Sequence, residues 1–306
     1  MTFEYTNTNK RYHTLDYHYK NRFGTKVFKI SLNAGFTCPN IDGTVGNKGC
    51  IYCNNGSGDS YNVDLLEQFN LVKNIMNNKW TGKYIGYFQA HTNTYAPLEV
   101  LKEKYELVLK QEDVIGLSIA TRSDAISDEV LEYLIDLNKR TFLTIELGLQ
   151  TIHEKTSILI NRCHTLDNFY NMVKKLRENN INVVVHIING LPYETKEMMI
   201  ETAKYLNSLD IQGVKIHMLH ILKNTKLEKY YEENKFHVLT KEEYIDIVIS
   251  QLEVLNPKIV IHRITGDPKI SELIEPTWLI KKTVLLNDID KEMAKRDTYQ
   301  GRLFTN

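Results

Sequence analysis

Segments with the character of buried strands alternate with segments of helical period from residue 27 onward. A chain with this alternation folds as an α/β protein, because helices between strands allow neighbouring strands to pair in parallel. Seven candidate strands follow one another, fewer than the eight that a closed barrel needs. The sequence therefore predicts an α/β fold with a partial (β/α)6 TIM-type barrel and a C-terminal α/β extension. The candidate strands are Val27–Leu32, Tyr84–Gln89, Val114–Ala120, Phe142–Leu147, Val183–Ile188, Gly213–His220 and Lys258–Ile264.

Several of these strands carry polar residues on one face only, since side chains along a strand alternate between its two faces. Glu146 and Gln150 alternate with apolar residues in the fourth strand, and Lys215 and His217 do so in the sixth. Closed barrels fill their interior with branched apolar residues, so inward polar faces indicate a cavity that holds a polar ligand. The alternative is that these residues are satisfied polar groups of the core or lie in solvent at strand ends.

Three of the four cysteines lie close together, directly after the first strand. Eleven residues separate Cys38 from Cys50, and Cys53 completes a Cys-x-x-Cys pair. Three thiolates can hold three irons of a four-iron cluster and leave the fourth iron open. A zinc site with a histidine as fourth ligand and a Cys50/Cys53 redox pair remain alternatives. Cys163 lies apart from the three, and we expect it to be structural.

The chain has equal numbers of basic and acidic residues, but residues 1–34 are locally basic and rich in aromatic side chains. Interleaved cations and rings are typical of surfaces that contact phosphates and stack on bases. The alternative is a basic arm whose rings pack on the core. The longest apolar runs are far shorter than the roughly 20 residues that cross a bilayer. We therefore expect a cytoplasmic protein with no membrane partner.

Several short stretches have distinctive residue orders. They are Arg11-Tyr12-His13-Thr14-Leu15, Gly35-Phe36-Thr37-Cys38-Pro39-Asn40, His262-Arg263-Ile264-Thr265-Gly266-Asp267 and Pro276-Thr277-Trp278. In these stretches the chain resembles the radical S-adenosylmethionine (SAM) enzymes, specifically the YhcC/YtqA type of bacterial radical SAM proteins. Residues 121–124 and 146–151 are also similar to the radical SAM domain of the Elongator catalytic subunit, which acts on the C5 position of wobble uridine in tRNA.

The resemblance implies two cofactors, a [4Fe-4S] cluster and S-adenosyl-L-methionine. We expect three parts: the basic aromatic N-terminal segment over 1–34, which includes the first barrel strand, a radical SAM core over 35–235 and a C-terminal capping extension over 236–306. The implied cluster ligands are Cys38, Cys50 and Cys53. The implied SAM contacts are Gln89, Arg122 and Gln150, and Gly190 permits close backbone approach. The implied neighbours of the adenine are Tyr52, His217 and Leu219. Gln89 stands where radical SAM enzymes usually have a Gly-Gly-Glu segment, so no carboxylate is present there for the methionyl amine.

The leading functional hypothesis is a tRNA-modifying enzyme that converts 5-carboxymethylaminomethyl wobble uridine toward its aminomethyl form. Lys215 and Arg263 are candidates to hold the substrate carboxylate, and internal ion pairing is their alternative role. The expected partners are tRNA, an electron donor of the flavodoxin or ferredoxin type, and a downstream tRNA methyltransferase. Two other hypotheses are a radical SAM enzyme acting on a small metabolite, such as a porphyrin precursor or carboxylic acid, and a zinc-stabilised RNA-binding module.

Overall fold

A computed structural model describes residues 3–53, 63–78 and 80–305. Strands and helices alternate through most of this range, as predicted. The strands are β1 Val27–Leu32, β2 Lys83–Phe88, β3 Val114–Thr121, β4 Phe142–Gln150, β5 Asn182–Asn189, β6 Gly213–Met218, β7 Ile221–Leu222, β8 Val260–Arg263 and β9 Leu273–Glu275. The helices are α1 Leu15–Phe23, α2 Leu65–Asn77, α3 Leu98–Leu109, α4 Asp128–Arg140, α5 Glu154–Leu159, α6 Leu166–Glu178, α7 Lys196–Leu206, α8 Lys226–Asn234, α9 Lys241–Val254 and α10 Lys282–Lys295, with a 3-10 helix at Thr277–Lys281.

The main sheet has seven parallel strands in the order β1-β2-β3-β4-β5-β6-β8, and β7 pairs with β9 in a separate antiparallel ribbon. The seven predicted strands are these seven. The sheet curls into an open barrel. The curling brings its two edge strands together, since Lys29 Nζ on β1 lies 3.5 Å from His262 Nδ1 on β8. The predicted partial barrel is confirmed.

The two faces of the strands divide as predicted. Leu143, Ile145, Leu147 and Leu149 of β4 are fully buried in the apolar core beneath the outer helices. Glu146, on the other face of β4, points into the barrel. The burial of a large aliphatic side chain contributes about 1.5–3 kcal/mol, so a shift of the strand by one residue would lose this packing and turn Glu146 into the core.

Seven of the described helices begin with a side-chain cap, which satisfies an amide that the first turn leaves unpaired. The predicted cap at Thr165 is present, and its hydroxyl accepts from Asn168 N at 3.1 Å. The caps are Thr14, Asp64, Ser127, Thr165, Thr195, Thr225 and Thr240. These polar residues fix where each helix starts, and so how each strand end is presented at the open face of the barrel.

The N-terminal segment packs on the protein rather than presenting its rings to solvent. Phe3, Tyr12 and Tyr19 are buried, and α1 contacts both edge strands of the barrel. Most of its cations are paired within the protein or lie over aromatic rings. The ion pairs are Lys10 with Asp290, Arg11 with Asp297, Lys20 with Asp16 and Lys29 with Glu146. The alternative of a basic arm whose rings pack on the core therefore holds for these three buried rings.

The C-terminal residues join the same sheet through β8, and the N-terminal segment lies beside that strand. Ile261 N donates to His13 O at 2.7 Å, and the Gln300 amide donates to Ile259 O at 2.8 Å while accepting from His13 N at 2.9 Å. Both chain ends are thus tied to β8. Within the described residues no helix has the length and apolar character of a membrane span.

Candidate active site

The cysteine loop, residues 33–53, follows β1 at the carboxyl ends of the barrel strands. Cys38 and Cys50 are half-buried and Cys53 is exposed. Cys53 N donates to Cys50 O at 3.0 Å, so the Cys-x-x-Cys segment forms a tight turn. Asn40 Nδ2 lies 3.6 Å from Cys50 Sγ. Burial raises the pKa of the Cys50 thiol, and the Arg122 guanidinium acts in the opposite direction.

Hydrogen bonds from two neighbouring segments hold this loop in place. Ile51 N donates to Ile160 O at 3.1 Å, and Leu227 N donates to Ile51 O at 2.9 Å. The side-chain amide of Asn161 donates to Gly49 O at 2.8 Å. The backbone carbonyl of Asn161 accepts from Asn40 Nδ2 at 2.6 Å. The loop is therefore anchored at several points to the turns after α5 and before α8.

The donor set fits an iron–sulfur cluster better than a single metal ion. No three His, Cys, Asp or Glu side chains in the described ranges converge as the ligands of one ion would. A four-iron cluster binds each thiolate at a different iron, so its three ligands need not meet at one point. Asn40 Oδ1 is buried beside Cys50 and has no hydrogen-bond partner within the described residues. A pre-anchored loop with three separate thiols is compatible with such a group.

Gly46 gives a test of this loop. A Cβ at Gly46 would overlap Asn40 Oδ1 and lie 2.7 Å from Cys163 Sγ. Since Asn40 is held by Asn161, we expect Gly46→Ala to displace the loop, to cost about 1–3 kcal/mol of folding free energy, and to lower the iron bound per chain after anaerobic reconstitution. Iron and sulfide analysis measures this. Cys163→Ala is the control, and an unchanged iron content in Gly46→Ala would contradict the expectation.

The predicted SAM contacts lie at or just beyond the strand ends. Gln89 follows β2 and accepts from Ser31 Oγ at 3.0 Å. Arg122 follows β3 and donates two hydrogen bonds to Asp124, at 2.8 and 2.7 Å. Gln150 ends β4 with φ +63°. Gly190 has φ +83°, a conformation that favours glycine. Their contacts with SAM stay a prediction.

Two of the three residues predicted near the adenine, Tyr52 and Leu219, belong to one apolar cluster. Leu219 is buried in a small apolar cluster against which Tyr52 of the cysteine loop packs. His217 points inward from β6, with its ring centroid 5.1 Å from that of His186. Burial and the neighbouring His186 lower the pKa of His217 well below its usual value. His217 is therefore a neutral side chain near the open end of the barrel.

A layer of charged side chains crosses the barrel below these residues; we call it the charged layer. Its centre is the fully buried carboxylate of Glu146. The groups that contact Glu146 are Lys29 Nζ at 2.6 Å, Ser118 Oγ at 2.6 Å, His186 Nε2 at 2.6 Å and Lys215 Nζ at 2.5 Å. Lys215 Nζ also donates to the Tyr87 hydroxyl at 2.9 Å. Six strands thus contribute to one buried polar network.

The charged layer has more lysines than carboxylates. Burial alone would raise the pKa of Glu146, but the ammonium groups of Lys215 and Lys29 lower it well below its usual value. Burial lowers the pKa of Lys215 to about 7; Lys29 acts in the same direction and Glu146 opposes it. The lysine side chains keep 13% and 7% exposure, so water reaches this layer from the open end.

The two cations predicted to hold a substrate carboxylate are both ion-paired. Lys215 pairs with Glu146, and Arg263 Nη2 lies 3.1 Å from Asp267, which Lys282 also contacts at 2.6 Å. From the charged layer to the rim, four cations therefore share two carboxylates, and positive charge is in excess. Sequence reasoning did not select Lys29 as a site residue. The signal was available, because Lys29 and Ser31 lie on one face of β1.

Comparisons with known proteins agree with this geometry. The chain matches the radical SAM superfamily over residues 41–206 and the radical SAM C-terminal domain over residues 211–295. The first match includes Cys50 and Cys53, whereas Cys38 lies before it. The chain is 52% identical to the uncharacterized protein YtqA of Bacillus subtilis, over 99% of this chain and 95% of that protein.

More distant similarity extends to proteins of tRNA chemistry. The chain is 26% identical over 186 residues to the tRNA uridine(34) acetyltransferase of Methanocaldococcus infernus, covering 60% of this chain and 34% of that protein. The structure of the archaeal Methanocaldococcus infernus Elp3 superposes with a TM-score of 0.67 at 16% identity, covering 90% of this chain and 64% of that one. The fold is therefore that of the radical SAM partial barrel. The chain belongs to the radical SAM superfamily of enzymes, which use a [4Fe-4S] cluster and SAM, and within it to the YhcC/YtqA type.

Proposed function

We propose that this radical SAM enzyme modifies the C5 side chain of wobble uridine in tRNA, taking the carboxymethylaminomethyl form toward the aminomethyl form. The observation that carries the proposal is the excess of cations inside the barrel, where Lys215 and Arg263 are the candidate partners of a substrate carboxylate. The distant tRNA uridine(34) acetyltransferase supports the choice of wobble uridine. Because the chain corresponds to only 34% of that relative, the substrate assignment is a proposal.

We assign the cluster to Cys38, Cys50 and Cys53, whose soft thiolates suit iron. When bound, the cluster and SAM supply a 5′-deoxyadenosyl radical that abstracts hydrogen from the substrate. Gln89, Arg122 and Gln150 would contact SAM, and Gly190 would let the backbone approach it closely. Tyr52, His217 and Leu219 would lie near the adenine. The apolar cluster around Leu219 would exclude water from the reacting groups.

Two partners complete the proposal. Reduction of the cluster requires an electron donor, for which a flavodoxin or ferredoxin type is proposed. The aminomethyl product carries a free amine, so a tRNA methyltransferase is proposed as the consumer of the product.

Deletion of the gene tests the proposed substrate. Bulk tRNA from the deletion strain is digested to nucleosides and analysed by mass spectrometry. We expect the carboxymethylaminomethyl form to accumulate several-fold and the aminomethyl-derived forms to disappear. Restoration by the wild-type gene and not by a Cys50→Ala gene is the control. An unchanged profile of C5-modified uridines would contradict the proposal and favour a small-metabolite substrate such as a porphyrin precursor.

A further inference from the structure

A cluster of aromatic rings lies at the rim of the barrel, above the carboxyl ends of β5 and β6. We call it the rim aromatic surface, and it consists of Tyr193, Tyr230, Tyr231 and Phe236. The Phe236 ring lies 6.5, 6.2 and 5.2 Å from those of the three tyrosines, measured between centroids. Tyr230 donates to the Tyr193 hydroxyl at 3.2 Å. The rings thus form one continuous aromatic surface.

Tyr193 is placed in an unusual way. Its φ is +66°, in the left-handed region that residues other than glycine seldom adopt, and its side chain is 61% exposed. Such a conformation persists only where the surrounding structure holds it. Folding does not bury this ring, whereas Phe236 beneath it is 5% exposed. The rim aromatic surface therefore presents the exposed ring of Tyr193 to solvent, with the buried ring of Phe236 beneath it.

Cations surround these rings and are not neutralised. Lys229 and Lys235 lie on or next to α8 and are exposed, and Lys235 Nζ lies 4.6 Å from the Tyr231 ring. Neither lysine forms an ion pair with any residue that the structure describes. Residues 223–241 contain five lysines and three glutamates. The N-terminal segment differs, because most of its cations are paired or stacked within the protein.

The rim aromatic surface connects the cysteine loop with a surface groove. Phe236 belongs to the apolar cluster against which Tyr52 of the cysteine loop packs. On its other side Phe236 lines a groove of about 1050 Å³ that extends to Trp278. The charged side chains along the groove are Lys235, Lys241, Lys281, Glu242 and Glu275, together with His237. Lys241 pairs with Asp288 at 2.8 Å, which leaves Lys235 and Lys281 as the cations that line the groove without a carboxylate partner within the described residues.

We propose that the rim aromatic surface binds single-stranded RNA, with unpaired bases stacked on Tyr193 and phosphates held by Lys229, Lys235 and Lys281. Stacking platforms flanked by cations are what unpaired nucleic acid requires. A base extruded beside the platform would reach the barrel past Tyr52, which is how a loop nucleotide enters an enclosed site. The inference rests on the proposed tRNA function and locates the RNA on α8 and the loop after β5, rather than on the N-terminal segment.

Fluorescence anisotropy of a labelled anticodon stem-loop RNA, with the reconstituted enzyme, tests this surface. We expect Tyr193→Ala to weaken binding by about tenfold and Tyr193→Phe to weaken it much less. Lys229→Glu with Lys235→Glu should weaken binding and flatten its salt dependence. The matched controls are Tyr170→Ala, an exposed tyrosine of the outer helix α6, and Lys139→Glu, an exposed lysine of α4. Both should bind like the wild type.

Three results would overturn the inference. If the wild type binds the stem-loop and Tyr193→Ala binds equally well, the surface is wrong and the proposed function stands. If the wild type binds neither the stem-loop nor whole tRNA, both fail. If Tyr193→Ala keeps RNA affinity but a flavodoxin reduces its cluster more slowly, the surface belongs to the electron donor. Weakening confined to the rim variants would support the inference.

Discussion

Cys50→Ser protein, purified anaerobically and supplied with iron and sulfide, is expected to be colourless and to release no 5′-deoxyadenosine from SAM. The hydroxyl of serine is a much poorer iron ligand than a thiolate. Cys50 lies in the turn that Ile51 anchors to Ile160, so no other thiol of the loop can replace it without breaking that contact. Absorbance near 400 nm and chromatographic measurement of 5′-deoxyadenosine give the two readouts.

The same experiment on the other cysteines assigns the third ligand. Cys38→Ser should lose the cluster as Cys50→Ser does, whereas Cys163→Ser should keep it. Cys163 is exposed and lies against Gly46 of the cysteine loop, which makes it the matched control. A full cluster in Cys38→Ser, with its loss in Cys163→Ser, would show that Cys163 is a ligand. Urea unfolding of each variant checks that the fold is kept.

The alternation of strand and helix predicted the seven strands of the main sheet because each strand places its apolar face under a helix. The alternate spacing of Leu143, Ile145 and Leu147 is enough to predict that these side chains are buried. The end of a strand is harder to predict: β4 continues to Gln150, where φ is +63° and the chain turns away. Such an end is fixed by neighbouring segments, including Arg162, whose guanidinium donates to Leu149 O.

The candidate site was predictable in its residue types but not in its pairings. Period-two spacing placed Glu146 and Lys215 inside the barrel. It did not show that Lys29, 117 positions before Glu146, would supply the second ammonium group. The N-terminal segment shows the same limit. Its cations and rings have the composition of an RNA surface. In the structure, however, Lys10 and Arg11 are paired with Asp290 and Asp297, which are remote in sequence.

The second large effect is expected at Glu146. Replacing Glu146 by Gln removes the carboxylate that pairs with Lys29 and Lys215, so Lys29 keeps a buried charge without its partner while the pKa of Lys215 falls further. Loss of one member of a buried ion pair costs about 3–5 kcal/mol of unfolding free energy. Urea unfolding followed by circular dichroism at neutral pH measures this loss. Asp16→Asn, which breaks the exposed pair with Lys20, is the control and should change the free energy by about 0–1 kcal/mol.

A second substitution separates charge from packing. Glu146→Gln with Lys29→Met removes the ammonium group that is left without its partner, so it should recover part of the lost stability. A double variant no more stable than Glu146→Gln would mean that the loss comes from hydrogen bonds to Ser118 and His186. The coupling between neighbouring charges in such a cycle is about 0.5–3 kcal/mol.

The pH dependence of stability tests Lys215 directly. Its pKa is about 7 in the folded protein, against 10.5 when unperturbed, so between these values the unfolded chain binds more protons there than the folded one. The free energy of unfolding should therefore rise with pH across that window through this group. Lys29, Tyr87, Glu146, His186 and Arg263 face Lys215, and all five are present in both proteins when wild type is compared with Lys215→Met. The wild type should gain stability relative to Lys215→Met from about pH 7 upward. Parallel profiles would show that Lys215 stays protonated throughout as the permanent partner of Glu146.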